Sequence, residues 1–177
     1  MKAVILAAGY GSRLGELTNE IPKPMIEIAG KPVLSYLIDR LNIHGISDII
    51  IHVYRKADLI MNYFGSRVLY FYDPSLLGHL ETIKALKNWL NNDFMVINGD
   101  TLTDLNYGSM IKFHKEQTIT AAMDEWKCTG TWIYSTDIFL NENLPTIPYR
   151  EKSQWIDIGT DKDLQKAKQI YEDNKVL

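Results

Sequence analysis

The chain has 177 residues, which suits one α/β domain with a sizeable core and leaves little room for a second. Hydrophobic residues make up 46% and charged residues 23%, an ordinary globular mixture that argues against disorder. A net charge of −3 argues against a broad nucleic-acid or anionic-membrane surface, and a single cysteine, Cys128, permits no internal disulfide, so a reducing, cytoplasmic setting is expected. Met1-Lys2 followed by Ala3–Ala8 superficially resembles a secretory leader, but the apolar run is short and Gly9, Gly11 and Arg13 follow at once.

Short, apolar, β-branched runs alternate with segments of helical period, the pattern of a sheet with crossover helices. Lys2–Leu6 reads as the first strand. Pro32–His44 reads as a helix with Val33, Leu37 and Leu41 on one face and Gly45 placed to end it. Ser47–Val53 is a second strand, Lys56–Phe64 a second helix and Val68–Phe71 a third strand. Leu80–Leu90 is a helix with Ile83, Leu86 and Leu90 inward, and Phe94–Asn98 a fourth strand that stops at Gly99-Asp100. Beyond it, Tyr107–Lys115 reads as helix, and Thr118–Met123, Thr131–Ser135 and Trp155–Ile158 as strands. Thr160 and Asp163 resemble a capping box opening a last helix, Asp161–Asn174, with Leu164, Ala167, Ile170 and Tyr171 inward. Such sheets bind ligands outside the carboxyl ends of their strands, so the segments after Leu6, Phe71, Asn98 and Ile158 are the ones to examine.

The loop after the first strand is the most informative. Gly9-Tyr10-Gly11-Ser12-Arg13-Leu14 is followed by Thr18 and by Pro22-Lys23-Pro24. Glycines after a strand let backbone N–H groups approach a phosphate chain, Arg13 adds a fork of donors, and Lys23 between two prolines aims a point charge. A dinucleotide fingerprint would need glycine where Leu14 stands, and a P-loop would need Gly-Lys-Ser/Thr opening a helix; neither is present.

Leu6-Ala7-Ala8-Gly9-x-Gly11-x-Arg13-Leu14 with Pro22-Lys23-Pro24 closely resembles the sugar-1-phosphate nucleotidyltransferases, and the likeness continues through Asn98-Gly99-Asp100 and Trp155-Ile156-Asp157-Ile158-Gly159-Thr160. The resemblance implies a Rossmann-like three-layer sandwich around a mostly parallel mixed sheet. It also implies Mg²⁺-dependent transfer of a nucleoside monophosphate from an NTP to a sugar 1-phosphate. Leu6, Ala8, Gly9, Gly11, Ser12 and Arg13 would bind the nucleotide, Lys23 would hold the α-phosphate, and Arg13 the departing phosphates. Asp100 and Asp157 would be the metal ligands, a pair that suits an ion preferring one or two carboxylates plus substrate oxygens.

After the third strand, Gly78 matches a family glycine near the base, while His79-Leu80-Glu81 departs from the small residues that usually follow. Asp73 stands where uridylyl and thymidylyl members resemble one another in carrying Gln. A carboxylate only accepts hydrogen bonds, which suits guanine's N1–H and N2 amino group or an exocyclic amine of cytosine or adenine rather than uracil or thymine, with GTP favoured; a plain Asp-Pro turn is the alternative. The four histidines, His44, His52, His79 and His114, lack metal-ligand spacing and read as structural or surface residues. The second half is shorter than in the family: Met123–Lys127 runs almost directly into Thr129–Tyr134. Lys127 is then a remnant of the acceptor-binding lysine and Gly130 its neighbour, with the pocket open, small, lost, or completed by another copy of the chain.

The expectation is one domain, with a nucleotide half over residues 1–103 and a shortened acceptor half over 104–177. Its partners are an NTP and a phosphorylated small molecule, with neither nucleic acid nor membrane. Two rivals stand beside it: cytidylyl transfer to a small non-sugar phosphate or phosphonate, and a degenerate nucleotide-binding regulator.

Overall fold

A computed structural model describes residues 1–172. In chain order its elements are β1 (Lys2–Leu6), α1 (Leu17–Glu20), β2 (Glu27–Ile28), β3 (Lys31–Pro32), α2 (Val33–Ile43), β4 (Asp48–Val53), α3 (Ala57–Phe64), β5 (Leu69–Tyr72), α4 (His79–Ala85), β6 (Phe94–Asn98), β7 (Thr101–Thr103), α5 (Tyr107–His114), β8 (Ile119–Met123), β9 (Cys128–Tyr134), β10 (Thr146–Tyr149), β11 (Trp155–Asp157) and α6 (Asp161–Glu172). The main sheet has the order β10-β8-β9-β6-β1-β4-β5. Parallel pairs join β1 to β4 and β6, β4 to β5 and β8 to β10, while β9 runs antiparallel to both β6 and β8. Every strand of this sheet except β9 therefore ends at the same edge.

Strand alternation divides the core into two faces. Ala3, Ile5, Ile51 and Ile97 pack under Leu34 and Leu37 of α2, Ile60 and Phe64 of α3, and Met110 of α5. Val4, Ile50 and Val96 point the other way, against Ile83 and Leu86. Both faces are covered, which is why the central strands read as unbroken apolar runs. The result is a three-layer, Rossmann-like sandwich. A smaller core forms where Leu164, Ala167 and Tyr171 of α6 meet Ile28, Leu102 and Ile156, with Ile170 partly buried beside them.

The helix ends follow the sequence signals. Gly45 takes φ +75° past the end of α2, and Ile46 N–H reaches back to the Leu41 carbonyl at 2.9 Å. Thr160 accepts from Asp163 N–H at 3.3 Å at the start of α6. Residues 173 and 174 of the expected last helix lie outside the described residues. The helix expected over Leu80–Leu90 is instead α4 followed by a single 3₁₀ turn at Lys87–Trp89, and Ile83, Leu86 and Leu90 are nonetheless all buried. β2, β3, β7 and β10 were not expected. No helix among the described residues is long and apolar enough to cross a membrane.

Candidate active site

At the open edge of the sheet, Leu6 closes β1 between His52 on β4 and Asn98 on β6. The chain then enters the glycine loop. Gly11 sits at φ +68°, and a Cβ there would fall 2.8 Å from Thr18 Cγ2, so only glycine fits the turn. The Thr18 hydroxyl lies 3.1 Å from both the Gly11 and Gly15 carbonyls and ties the loop shut. Gly9 has open space where a side chain would be, on the side facing a cavity.

Pro22 and Pro24 hold Lys23 in a short 3₁₀ turn, and its side chain, 8% exposed, runs inward. Its ammonium donates to Asp100 and, at 3.3 Å, to Asp157 Oδ1. Two backbone devices bring these acids together from distant parts of the chain. Gly99 lies so close to the end of β1 that a Cβ would stand 2.8 Å from the Leu6 carbonyl oxygen, and Gly99 N–H donates to that oxygen at 2.9 Å. Beyond it β7 pairs antiparallel with β11, Asp157 opposite Thr101, and Ile158 N–H donates to the Asp100 carbonyl at 2.9 Å. Burial pushes the Asp100 carboxyl above the usual carboxylate range against the opposing pull of Lys23, with Asp157 adding to the rise. Arg13 joins the same centre from outside: a Cβ on Gly159 would lie 3.3 Å from both terminal guanidinium nitrogens. Lys23, Asp100, Asp157 and Arg13 thus converge as the motifs suggested.

A cavity of about 490 Å³ opens beside this cluster, lined by Leu6, Ala8, Gly9, Tyr10, His52, Leu76, Leu77, Gly78, His79, Thr82, Asn98 and Asp100. Of the residues expected at the nucleotide, Leu6, Ala8, Gly9 and Gly78 line this cavity. Ser12 lines a neighbouring cavity of about 560 Å³ together with Tyr10, Thr18 and Arg55.

Asp73 requires a correction. Its carboxylate is 1% exposed and turned into its own loop, where it accepts from Ser75 N–H and Ser75 Oγ at 2.8 Å, from Leu77 N–H, and from His52 Nε2 at 3.0 Å. Burial works against that charge, but the donors outweigh it and hold the carboxyl below its usual range. With its oxygens so engaged, Asp73 shapes the loop over the cavity rather than facing a base; the Asp-Pro turn was the better reading.

Two of the four histidines border the cavity while making structural contacts. His52, whose Nδ1 is 3.4 Å from Thr82 Oγ1, forms the back of the cavity, and burial lowers its pKa although Asp73 opposes this. His79 opens α4, meets the Tyr134 hydroxyl at 3.0 Å and packs edge-on to Trp132 at 4.6 Å. These two line the cavity; the position of His52 opposite Leu6 at a strand end was the signal available in the sequence. His44 and His114 lie elsewhere, the latter against Thr120 at 2.8 Å.

In the acceptor half, Gly130 takes φ +83° and packs so closely on Asn98 Nδ2 and Thr101 Oγ1 that a Cβ would lie 3.0 Å from each. Lys127 Nζ sits 4.4 Å from the centre of the Trp155 ring. Trp155 and Asp157 are two apart on β11 and share a face, so Lys127 lies over the strand that carries Asp157. Asp100 and Asp157 are the residues that could hold a divalent cation. Among the described residues no group of three or more His, Cys, Asp and Glu is gathered for one, so substrate oxygens and water would complete the shell.

The profile of the nucleotidyl transferase family matches residues 2–130, and the chain belongs to that family. It is 33% identical over 141 residues to a UTP–glucose-1-phosphate uridylyltransferase of Synechocystis sp., covering 70% of this chain and 36% of the relative. It is 34% identical over 138 residues to the D-glycero-alpha-D-manno-heptose 1-phosphate guanylyltransferase of Campylobacter jejuni, covering 74% and 62%. The chain thus spans from about a third to under two-thirds of these relatives' lengths. Among solved structures, HddC from Yersinia pseudotuberculosis superposes with a TM-score of 0.84 at 26% identity, over 96% of this chain and 99% of that one, and its complex with GMP-PN gives the same values.

Proposed function

We propose that the chain transfers a nucleoside monophosphate from an NTP to a sugar 1-phosphate, releasing pyrophosphate and an NDP-sugar. We further propose GTP as the donor, Mg²⁺ as the cofactor and the cytoplasm as the setting. The observation that carries this reading is the Lys23 ammonium held between Asp100 and Asp157 beside the glycine loop. An acceptor phosphate oxygen attacks the α-phosphorus while the bond to the β-phosphate oxygen breaks and pyrophosphate departs in line. That nucleophile is already anionic, so the site needs no general base, and the work is positioning and charge neutralisation. Lys23 holds the α-phosphate and Arg13, resting on Gly159, holds the departing phosphates. Backbone N–H groups of Gly9–Ser12 orient the triphosphate, and Leu76–Gly78 cover the base. Asp100 and Asp157 would hold Mg²⁺, which neutralises triphosphate charge when bound.

The GTP assignment no longer rests on Asp73. It is supported by the 34% identity to a heptose 1-phosphate guanylyltransferase and by the likeness to HddC, which was solved with GMP-PN. The uridylyltransferase at 33% makes UTP the alternative to exclude. The test is pyrophosphate release with GTP, UTP, CTP, ATP and dTTP against hexose and heptose 1-phosphates, with and without Mg²⁺. Preference for UTP overturns the donor assignment. Turnover of CTP with only phosphocholine or a phosphonate favours the cytidylyl rival. Tight NTP binding without turnover on any acceptor favours a regulator, and failure to bind any NTP defeats all of these.

A further inference from the structure

We propose that Tyr10, the residue between the two loop glycines, is the surface on which the base stacks, and the residue by which this chain favours purine over pyrimidine nucleotides. The proposal rests on the nucleotidyltransferase reading and specifies how that site chooses its donor.

Three ring side chains line the 490 Å³ cavity: Tyr10, His52 and His79. His52 is 2% exposed, and its two nitrogens are directed to Asp73 and Thr82. His79 is half-buried, edge-on to Trp132, with one nitrogen on the Tyr134 hydroxyl. Tyr10 keeps 49% of its surface exposed and is the ring most open to a ligand.

Its neighbours leave it so placed. Tyr10 lines both the 490 Å³ cavity and the 560 Å³ cavity beside it, and its ring therefore stands in the wall between them. Arg55 lines only the second cavity, and its guanidinium carbon lies 5.5 Å from the centre of the Tyr10 ring. That cation makes no ion pair among the described residues. Tyr54 meets the ring at 5.8 Å with an interplanar angle of 81°. Tyr54 and Arg55 follow directly on β4, so the ring is braced from the β4–α3 connection while it borders the nucleotide cavity.

The brace is fixed at both ends. Gly11 and the Thr18 hydroxyl set the loop that carries Tyr10. Lys56, next to Arg55, donates to the Asn19 carbonyl and ties the start of α3 to the segment just past that loop. A ring already held in place needs little further ordering when a base arrives. Stacking grows with the area of overlap, and a fused purine covers more of a phenol ring than a single six-membered pyrimidine does. A base stacked on an aromatic side chain commonly gains about five- to a hundredfold in affinity.

Calorimetric titration with GTP and with UTP, in Mg²⁺ and without acceptor, tests this. The wild type should bind GTP at least about fivefold more tightly than UTP, and Tyr10→Phe should preserve that ratio. Tyr10→Leu keeps apolar bulk without a π-face; it should weaken GTP by about tenfold and UTP by no more than about threefold, closing the gap. Equal weakening of both nucleotides, as a loosened loop would give, overturns the assignment, as does a wild-type preference for UTP. If the gap is unchanged in Tyr10→Leu while sugar 1-phosphates still release pyrophosphate, the stacking role falls and the transferase reading stands. If the gap closes as expected but no acceptor supports pyrophosphate release, the transferase reading falls and the stacking role stands. Failure of the wild type to bind either nucleotide overturns both.

Discussion

Replacing Lys23 with methionine keeps an unbranched apolar stem and removes the ammonium with its charge and its hydrogen bonds to Asp100 and Asp157. At 3.3 Å and an effective dielectric near 20, the attraction between the ammonium and Asp157 is about 5 kcal/mol before solvation is counted. Most of that is offset by the cost of withdrawing Lys23 from water, and the side chains of Asp100 and Asp157, 26% and 41% exposed, are partly screened. A net loss of about 1–2 kcal/mol remains, which for a chain of this size lowers Tm by roughly 3–6 °C. The effect on turnover should be larger. In the proposed reaction Lys23 would face the phosphorus where charge reorganises, and losing such a group costs about 3 kcal/mol of barrier, or about a hundredfold in kcat. Calorimetry gives the first quantity and pyrophosphate release at saturating NTP the second, with circular dichroism confirming the fold. In a cycle with Asp100→Asn, the two substitutions should couple by about 1 kcal/mol in unfolding free energy. Unchanged kcat in Lys23→Met would remove Lys23 from the chemistry, and strictly additive stabilities would mean that the ion pair does not hold the site.

Asp73→Ala should cost about 2–4 kcal/mol in urea unfolding, because Ser75, Leu77 and His52 lose one shared buried acceptor. It should raise KM for GTP and UTP alike; a reversal of nucleotide preference would restore Asp73 as a base reader. Gly99→Ala forces a methyl to 2.8 Å from the Leu6 carbonyl oxygen. That strain should cost about 1–3 kcal/mol and lower kcat by displacing Asp100, and normal stability with normal turnover would refute the need for the close approach. Burial lowers the pKa values of His52, His79 and His114. Below about pH 6.5 the unfolded chain takes up protons that the folded one refuses, so stability present above that pH declines as pH falls toward the folded-state values. Tm should be level from pH 7 to 8 and fall between 6.5 and 5; a Tm that rises on acidification over that range would contradict this.

The sequence disclosed the central sheet because β1, β4 and β6 are buried on both faces and carry the apolar runs Ala3–Leu6, Ile49–Ile51 and Phe94–Ile97. It disclosed Lys23, Asp100 and Asp157 because each stands in a motif. It concealed what depends on very short pairings. β7 has three residues, too few to carry a period, and although Trp155–Ile158 reads as a strand, nothing local names β7 as its partner; yet their register is what sets Asp100 beside Asp157. β10 contains Pro148, which argues against a strand; the structure accommodates it because β10 is the outermost strand, with a partner on one side only. Asp73 misled for a related reason. A carboxylate at a strand end looks available to a ligand until the loop amides that consume it are placed, and nothing local in the sequence fixes where Leu77 N–H will point.

The β7–β11 ribbon has a consequence for a chain emerging from the ribosome. Every residue lining the 490 Å³ cavity lies at or before Asp100, whereas Asp157 arrives only after β8, β9 and β10 have been made. N-terminal segments are synthesised first, and joining positions 101 and 157 requires closing a long loop. A growing chain can therefore line this cavity before it holds both carboxylates, and the paired-acid centre is complete only when β11, its last strand, has docked on β7.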